Sequence, residues 1–526
     1  MNLNGEWEFG TGEAERFDRR ILVPFCPQSQ LSGVHVRIPG DVVWYRRRFD
    51  APAADRLLLH FGAVDYRATV WINGEEVVRH EGGHTPFSAD ITGTVRETDN
   101  VVVVRAEDPI ADKTIPRGKQ YWKDTSESIF YTPTIGIWQT VWLEPLPSRS
   151  IELLLIAPDI DRGAVDLEMR DGGAVEAVAS FGGREVGRRT GSGRMALAEV
   201  HPWSPEAPNL YDLELILRDA GGSEVDRVES YFGLRKIEAK GGKVLLNGRP
   251  YVQRLVLDQG YFPGGLMTAP SDDALRRDVE LAKAMGFNGA RKHQKVEDPR
   301  WLYWADTLGF LVWGEMANFQ EDSAEARRRL KAEWTQVVLR DRGHPCIVAW
   351  VPSNETFGLG PNPGTFLDEL YSLTKDLDPT RLVVSNDGWE HATTDLCTLH
   401  DYTTADVLRG RYRSLKSALD PADREKPPYL PGYGHRGEPI IVSEFGGVSL
   451  SGSSGFGWSE AEGAGGLRTT FGEMVRALMQ PGPVEGFCYT QLTDVEQEQN
   501  GLLTFERLPK VEPGLLRPLT GAPKQA

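Results

Sequence analysis

Two glutamates stand at the ends of short apolar runs, and their type and position suit one kind of chemistry. Glu355 closes the run 346–355, and Glu444 closes the run 439–444. Such runs are typical of parallel strands that are buried on both faces. If both strands belong to one (β/α)₈ barrel, the two carboxylates meet where the strands end. Carboxylates held roughly 5–5.5 Å apart there can cleave a glycosidic bond with retention of configuration.

Polar and aromatic residues near the other predicted strand ends are candidates for substrate binding. They are Asn354, Arg291, His293, Asp258, Asp387, Trp389, His400, Tyr402, Tyr489 and Gln491. Asn354 could hold a sugar hydroxyl beside the reacting carbon, and Arg291 could lower the pKa of Glu444 through its charge. Structural roles are open alternatives: a salt bridge for Arg291, ring packing for His293, and loop packing for the two candidates after the fifth strand.

The elements that must position these residues begin near residue 237. From there apolar strands alternate with helical patterns, which is typical of a parallel sheet built from βαβ units. The predicted strands are 251–257, 288–293, 310–316, 346–355, 382–387, 396–402, 439–444 and 486–493. The clearest predicted helices are 271–285, 298–308 and 324–341. Eight such alternations predict a TIM barrel, with the Gly- and Ser-rich segment 451–466 as a mobile loop.

The part of the chain before the barrel favours two β-sandwiches. Residues 1–147 contain short strands rich in β-branched and aromatic residues, with a hairpin turn at Asn73–Gly74, and predict a jelly roll. Residues 148–236 contain weaker alternating strands and glycine turns such as 171–173, and predict an immunoglobulin-like sandwich. The third predicted domain, 237–526, is the barrel.

Composition excludes several classes of function. The 526 residues include 59 basic and 76 acidic ones, a net charge of −17, so we expect neither nucleic acid nor a membrane as a partner. The widely spaced Cys26, Cys346, Cys397 and Cys488 predict neither a disulfide nor a zinc site. The polar first residues lack a signal peptide, which predicts a cytoplasmic protein. We expect no cofactor and no metal, and a homo-oligomer is left open.

Short motifs lie along almost the whole chain. They are LNGEWEF (3–9), WYRRRF (44–49), WING (71–74), HTPF (84–87), GIWQTVW (136–142), GFNGAR (286–291), DPR (298–300), DTLGFLV (306–312), NE (354–355) and SEF (443–445). Together they resemble glycoside hydrolase family 2, the group of β-galactosidases, β-glucuronidases and β-mannosidases. The resemblance implies a carbohydrate substrate, the domain order given above, Glu355 as acid/base and Glu444 as nucleophile. It also implies a tyrosine near Tyr402 that binds the nucleophile.

One departure from the family pattern bears on the substrate. Family β-glucuronidases resemble one another in an Asn-x-Lys element that holds the sugar carboxylate, and the matching positions here are Glu498 and Asn500. The lost cation and the added acid disfavour a uronic acid. We therefore expect exo-action on a neutral β-linked sugar, with galactose the first choice. The alternatives are a β-mannoside, a β-glucuronide or other uronide, an α-L-arabinoside, an anionic sugar bound by Lys292 or Lys295, or a non-catalytic carbohydrate-binding protein.

Overall fold

The computed structural model describes residues 1–36, 40–170, 174–356, 358–521 and 523–524. Its buried apolar residues form three large clusters, which lie within 3–143, 165–234 and 203–516. A smaller cluster joins Tyr131 of the first part to Tyr261 of the third. None of the helices in the described residues combines the length and the apolar character that crossing a bilayer requires.

The N-terminal part is a β-sandwich of antiparallel strands. Its larger sheet has the strand order Arg19–Val23, Gly5–Thr11, Val42–Phe49, Asn100–Glu107, Arg67–Ile72 and Glu75–Glu81. The smaller sheet has the order Val141–Leu146, Arg56–Phe61 and Phe87–Asp90, and Val64–Asp65 pairs with Gly136–Ile137. The buried faces of both main sheets contribute to one apolar cluster. Asn73 and Gly74 have φ angles of 52° and 87°, as a two-residue hairpin turn requires, so the predicted hairpin is confirmed.

The middle part is a second sandwich. One sheet has the order Glu152–Asp159, Ala164–Arg170 and Gly193–Ala196. The other has the order Arg184–Thr190, Val175–Phe181, Tyr211–Arg218 and Glu224–Phe232, and Trp203–Ser204 pairs with Ala207–Pro208. The turn predicted at 171–173 lies outside the described residues. The buried Trp203 indole donates a 2.9 Å hydrogen bond to the carbonyl of Asp306, which docks this sandwich on the barrel.

The C-terminal part is the predicted parallel barrel. Its strands, first to eighth, are Gln253–Asp258, Gly289–Lys292, Leu311–Glu315, Ile347–Val351, Leu382–Val383, Cys397–His400, Ile440–Gly446 and Val484–Thr490. Parallel pairing runs from the first to the fifth strand and from the sixth to the eighth, and the eighth pairs with the first. Between the fifth and sixth, the Asp395 amide donates to the Val383 carbonyl at 2.9 Å. Smaller sheets pair Ile237–Lys240, Lys243–Leu246 and Arg249–Pro250, and Val448–Leu450 with Ser459–Ala461.

Helices separate and follow the barrel strands. They are Asp272–Ala284, Pro299–Leu308, Ala324–Asp341, Gly364–Leu377, Ala405–Arg411, Leu415–Ala418, Gly463–Leu478 and Pro513–Thr520, and Gln30–Ser32 and Pro421–Asp423 form 3₁₀ turns. The three helices predicted most clearly are all present. The Ser271 hydroxyl caps the first by accepting from the Ala274 amide at 3.2 Å. The segment 451–466, predicted as a mobile loop, contains a paired strand and the first turn of a helix.

Several predicted strand ends differ from the structure, and two of them bear on the site. The fourth strand ends at Val351, and Glu355 lies in the following loop, where its amide donates to the Asp387 carbonyl at 2.8 Å. Asn354 bridges to Asp387 in the same parallel register in which the fourth strand pairs with the fifth, so the loop that carries Glu355 stays beside the fifth strand. Glu444 lies inside the seventh strand instead of at its end. The domain boundaries at 147 and 236 fall between strands and stay predictions.

Candidate active site

The carboxylates of Glu355 and Glu444 meet at the carboxyl-terminal end of the barrel strands. One oxygen of each lies within 4.8 Å of an oxygen of the other. Both residues line a cavity of about 690 Å³, to which the N-terminal sandwich contributes Phe130. Glu355 has a φ of 56°, a backbone conformation that is uncommon for a residue with a side chain and is concentrated at functional sites. Trp389 holds this loop by donating from its indole to the Glu355 carbonyl at 3.1 Å.

Arg291, from the second strand, ties the polar groups of the site together. Its guanidinium is fully buried and donates to Glu444 Oε1 at 2.8 Å, Glu315 Oε2 at 2.6 Å and Asn354 Oδ1 at 2.6 Å. It also lies 2.7 Å from Asp387 Oδ2. A guanidinium can make these contacts at once because its donors point in fixed directions in one plane. One cation thus sets the positions of acidic groups from three different parts of the barrel.

Glu444 is held as a carboxylate. Burial on its own would raise the pKa of Glu444, but the charges of His400 and Arg291 outweigh burial and lower the pKa to about 2. The Tyr402 hydroxyl adds to this effect by donating to Glu444 Oε2 at 2.6 Å. Glu444 is therefore ionised over the pH range in which most enzymes work.

His400 lies between three carboxylates. Its Nδ1 is 2.6 Å from Glu355 Oε1 and 3.5 Å from Glu444 Oε2, and its Nε2 is 2.8 Å from Asp387 Oδ2. Burial would lower the pKa of His400, but the negative charges of Glu444 and Asp387 outweigh burial and raise the pKa to about 10. The ring is therefore an imidazolium that donates from both nitrogens and offsets the negative charge around the two glutamates.

The same three residues have the spacing of a metal site. Glu355, His400 and Glu444 offer ligand atoms that all lie within 4.8 Å of one another. A histidine binds a metal through a deprotonated nitrogen, whereas both ring nitrogens of His400 face carboxylates and favour the protonated ring. Hydrogen bonding accounts for this cluster better than metal binding does, and the absence of a metal stays a prediction.

The predicted substrate-binding residues fall into three groups. Those that line the cavity are His293, Trp389, His400 and Tyr402. Arg291 and Asp387 lie behind the cavity wall and are bonded to Glu444 and His400, which line it, and Asn354 is bonded to Arg291. The remaining three are Asp258, Tyr489 and Gln491; they do not line the cavity, and Gln491 is connected to it only through Gln259.

Asp258, Tyr489 and Gln491 thus have structural surroundings. Asp258 is buried and lies 2.6 Å from the ammonium of Lys292. The ring of Tyr489 packs edge-on against Phe445 at a centroid distance of 5.4 Å. The side-chain amide of Gln491 donates to Asn500 at 2.7 Å. We therefore give these three residues positioning roles and leave them out of the proposed contacts with substrate.

The two lysines after Arg291 are engaged within the protein. Lys292 lies 2.6 Å from Asp258 and 2.7 Å from Glu297, and Lys295 lies 3.0 Å from Glu297. All four side chains are buried, and none of them lines the cavity that contains Glu355. The hypothesis that either lysine binds an anionic sugar is therefore wrong for this arrangement. The lysines instead hold the loop after the first strand against the loop after the second.

Sequence reasoning missed several residues that line the cavity. They are Lys119 and Phe130 from the N-terminal sandwich, Trp458 after the seventh barrel strand and Thr490 at the end of the eighth. The available signal for the first two was the segment 108–135, which separates two strands and carries no strand pattern of its own. Long connections of this kind in compact domains are often functional.

Trp458 explains the glycines after Glu444. Its ring stacks on Tyr402 at a centroid distance of 4.6 Å, and 51% of the residue is exposed. A Cβ at Gly447, where φ is 61°, would collide with the Trp458 ring, and a Cβ at Gly446 would collide with the ring of Tyr489. The glycines therefore make room for aromatic rings that surround the site.

Three family models match consecutive parts of the chain. "Glycosyl hydrolase 2 galactose-binding domain-like" matches residues 28–131, and "Glycosyl hydrolases family 2" matches 161–235. "Glycosyl hydrolases family 2, TIM barrel domain" matches 237–457. These matches follow the order of the sandwich, the second sandwich and the barrel.

The curated relatives include both β-galactosidases and β-glucuronidases. The chain is 26% identical to a β-galactosidase of Photobacterium profundum over 80% of this chain and 44% of that protein. It is also 26% identical to the β-glucuronidase of Rattus norvegicus, over 78% of this chain and 69% of that protein. The chain spans about half the length of the bacterial relatives that it matches.

Solved structures share the whole architecture. A β-glucuronidase from Ruminococcus gnavus in complex with D-glucuronic acid has a TM-score of 0.82 at 20% identity, covering 99% of this chain and 97% of that one. The β-D-glucuronidase of Dictyoglomus thermophilum has a TM-score of 0.83 at 20% identity, covering 100% and 97%. At this identity the likeness shows the fold. Together with the three consecutive family matches, it leads to one conclusion: the chain belongs to glycoside hydrolase family 2.

Proposed function

We propose that this chain is an exo-acting retaining glycosidase in which Glu444 is the nucleophile and Glu355 is the acid/base. The observation that carries the proposal is the separation of the two carboxylates, with oxygens within 4.8 Å in one cavity. Retaining enzymes hold these groups roughly 5–5.5 Å apart, whereas inverting enzymes need roughly 6.5–9.5 Å to admit a water molecule. The short separation therefore favours direct attack by a carboxylate.

The electrostatic surroundings support different roles for the two glutamates. Glu444 has a pKa of about 2 and three donors or cations around it, so it is charged and aimed, as a nucleophile must be. Glu355 lines the same cavity beside Glu444, where its carboxyl in the protonated form can donate to the glycosidic oxygen. The surroundings of Glu444 support the assignment of roles that the residue types alone left open.

The reaction then follows in two displacements. Glu444 attacks the anomeric carbon while Glu355 gives a proton to the glycosidic oxygen, and the aglycone leaves as a neutral alcohol. Glu355, now ionised, takes a proton from water, and that water attacks the same carbon and releases Glu444. His400 and Arg291 stay charged throughout and offset the negative charge that moves between the two carboxylates.

The proposed glycone is a neutral β-linked sugar, with galactose the first choice. Glu498 lines the cavity and is 3% exposed, so a uronate would bring a second carboxylate next to a buried acid. The names of the relatives do not decide the question, because a β-galactosidase and a β-glucuronidase match with the same identity. The cytoplasmic location and a homo-oligomer stay predictions.

A panel of p-nitrophenyl glycosides with one shared aglycone tests the proposal. We expect the highest kcat/KM on the β-galactoside, with the β-mannoside, β-glucuronide and α-L-arabinoside as comparisons. Glu444→Ala should abolish turnover, and added azide should restore product with the inverted anomeric configuration. A restored product with retained configuration would show that Glu444 is not the nucleophile.

Glu355→Ala tests the acid role separately. Its rate should fall strongly on alkyl glycosides and little on dinitrophenyl glycosides, because only the poor leaving group needs the proton. Equal losses on both would contradict the role. A non-catalytic carbohydrate-binding protein would show no turnover on any member of the panel and unchanged sugar binding in Glu444→Gln.

A further inference from the structure

Lys119 is a buried cation in the cavity without a neighbouring anion. It comes from the N-terminal sandwich, is 6% exposed and lines the cavity with Glu355 and Glu444. Among the described residues, no carboxylate oxygen lies within 4.0 Å of its ammonium, whose contacts are the ring faces of Phe130 and Tyr131 at 5.7 and 5.8 Å. The ammonium also has no hydrogen-bond acceptor among the described residues, and because it borders the open cavity it is available to a ligand.

Glu498 is a buried anion on the same cavity, and the protein holds it firmly. Its Oε2 accepts from the Tyr131 hydroxyl at 2.6 Å, and its Oε1 accepts from the Asn500 amide at 3.1 Å. The chain of bonds continues from Asn500 to Gln491 at 2.7 Å and from Gln491 to Gln259 at 2.9 Å. Glu498 is therefore oriented from both domains, with lone pairs left on each oxygen.

The gap between these two groups is suited to a hydroxylated ligand. Lys119, Glu498 and His293 all line this one cavity, and the Lys119 ammonium has no carboxylate oxygen of Glu498 within 4.0 Å. A donor and a carboxyl acceptor thus border one space.

We propose that Lys119 and Glu498 form a clamp across the two domains that binds neighbouring hydroxyl groups of the glycone and determines specificity for a neutral sugar. Lys119 donates to one hydroxyl oxygen, and Glu498 accepts the hydrogen of the next. A neutral glycone adds no charge beside Lys119 and Glu498, whereas a uronate would put two carboxylates beside one lysine. The clamp deepens the proposed function and rests on it.

The test combines variants with modified substrates. Lys119→Met and Glu498→Gln are assayed on the preferred glycoside and on its 2-, 3-, 4- and 6-deoxy analogues, all with one aglycone. Each variant should lose about 10- to 150-fold in kcat/KM on the parent, as expected for a hydrogen bond to a charged group. On the analogue that lacks the clamped hydroxyl, the loss should fall to about threefold or less, because the bond is already absent.

Lys123→Met is the matched control, because Lys123 belongs to the same segment and its side chain is 62% exposed. It should keep wild-type kcat/KM on every substrate. A Lys119→Met loss of the same factor on the parent and all four analogues would show a structural role and overturn the clamp. Preference of the wild type for the β-glucuronide, abolished in Lys119→Met, would also overturn it in favour of a carboxylate ligand.

Failure of the proposed function would look different. In that case the wild type would hydrolyse no glycoside, or Glu444→Ala would remain active. The clamp is then tested by calorimetric titration of galactose and of its 2-, 3-, 4- and 6-deoxy forms into the wild type and Lys119→Met. Weaker galactose binding in Lys119→Met, with the difference removed by one deoxy position, would support the clamp, and equal binding of galactose by both proteins would overturn it.

Discussion

The bond between Tyr402 and Glu444 allows a quantitative test of how the site controls its nucleophile. The Tyr402 hydroxyl donates to Glu444 Oε2 at 2.6 Å, while its ring stacks on Trp458 at 4.6 Å. Tyr402→Phe removes the hydroxyl and keeps the ring, so the change is confined to the hydrogen bond. In the proposed mechanism, deglycosylation releases Glu444 as an anion and depends on this donor, whereas glycosylation consumes the anion.

The expected size follows from the strength of a hydrogen bond to a charged group, about 1.5–3 kcal/mol. Deglycosylation should therefore slow by about 10- to 150-fold, since each 1.36 kcal/mol corresponds to a factor of ten. The same loss should raise the pKa of Glu444 by about one to two units. Because that pKa starts at about 2, the acid limb of kcat/KM should move up into the range near pH 3–4, with the carboxylate still ionised at neutral pH.

The assay is a pH profile of kcat/KM together with burst kinetics on a dinitrophenyl glycoside. Tyr402→Phe should lower kcat and KM together, because the covalent intermediate accumulates, and should show a burst of phenol. Tyr371→Phe is the control. The Tyr371 hydroxyl lies away from the cavity and donates a 2.8 Å hydrogen bond to Asp395. If Tyr402→Phe left both the acid limb and the deglycosylation rate unchanged, the reasoning about Glu444 would be refuted.

Three further variants test other parts of the account. Arg291→Lys keeps the charge, but a lysine cannot reach Glu315, Asp387 and Glu444 together, so kcat should fall by at least about 100-fold. The thermal midpoint should also drop, because breaking a buried ion pair costs about 3–5 kcal/mol. Near-normal activity would contradict this reasoning. Glu333 lies between the N-terminal sandwich and the barrel, and burial raises its pKa from 4.5 to about 8. Between pH 4.5 and 8 the folded state therefore holds a proton that the unfolded state has lost, so the stability of the protein declines as pH rises through this range. Glu333→Gln should then raise the free energy of unfolding at pH 7 by on the order of 2–3 kcal/mol, seen as a higher thermal midpoint, and leave both unchanged near pH 4. An equal shift at both pH values would argue against a buried neutral acid. Trp458→Ala should raise KM about 3- to 10-fold without changing the thermal midpoint, as expected for the loss of a stacking face, and an unchanged KM would remove Trp458 from the substrate site.

The periodic parts of the fold were predictable from the sequence. Strongly apolar strands and amphipathic helices predicted the barrel, and the Asn73–Gly74 turn predicted a hairpin, because these features depend on residues that are close in sequence. The exact ends were less predictable. Glu355 lies beyond its strand and is held there by pairing with the loop after the fifth strand, a contact between residues far apart in sequence.

The candidate site was predictable only in part for the same reason. Glu444 lies within an apolar strand, Glu355 and Tyr402 lie shortly after one, and all three could be recognised by position. Lys119 and Glu498 come from different domains, and their proximity depends on how the N-terminal sandwich packs on the barrel. Lys292 was misread because Asp258, at the end of the first strand, and Glu297, in the loop after the second, already balance its charge inside the protein.

Covalent trapping tests the central claim most directly. A 2-deoxy-2-fluoro glycoside with a dinitrophenyl leaving group slows the second displacement more than the first, so the sugar should remain attached to the protein. Peptide mass analysis is predicted to find the fluorosugar ester on Glu444, and Glu444→Gln should remain unlabelled. A label on Glu355, or turnover without any adduct in the presence of inverted product, would contradict double displacement through Glu444.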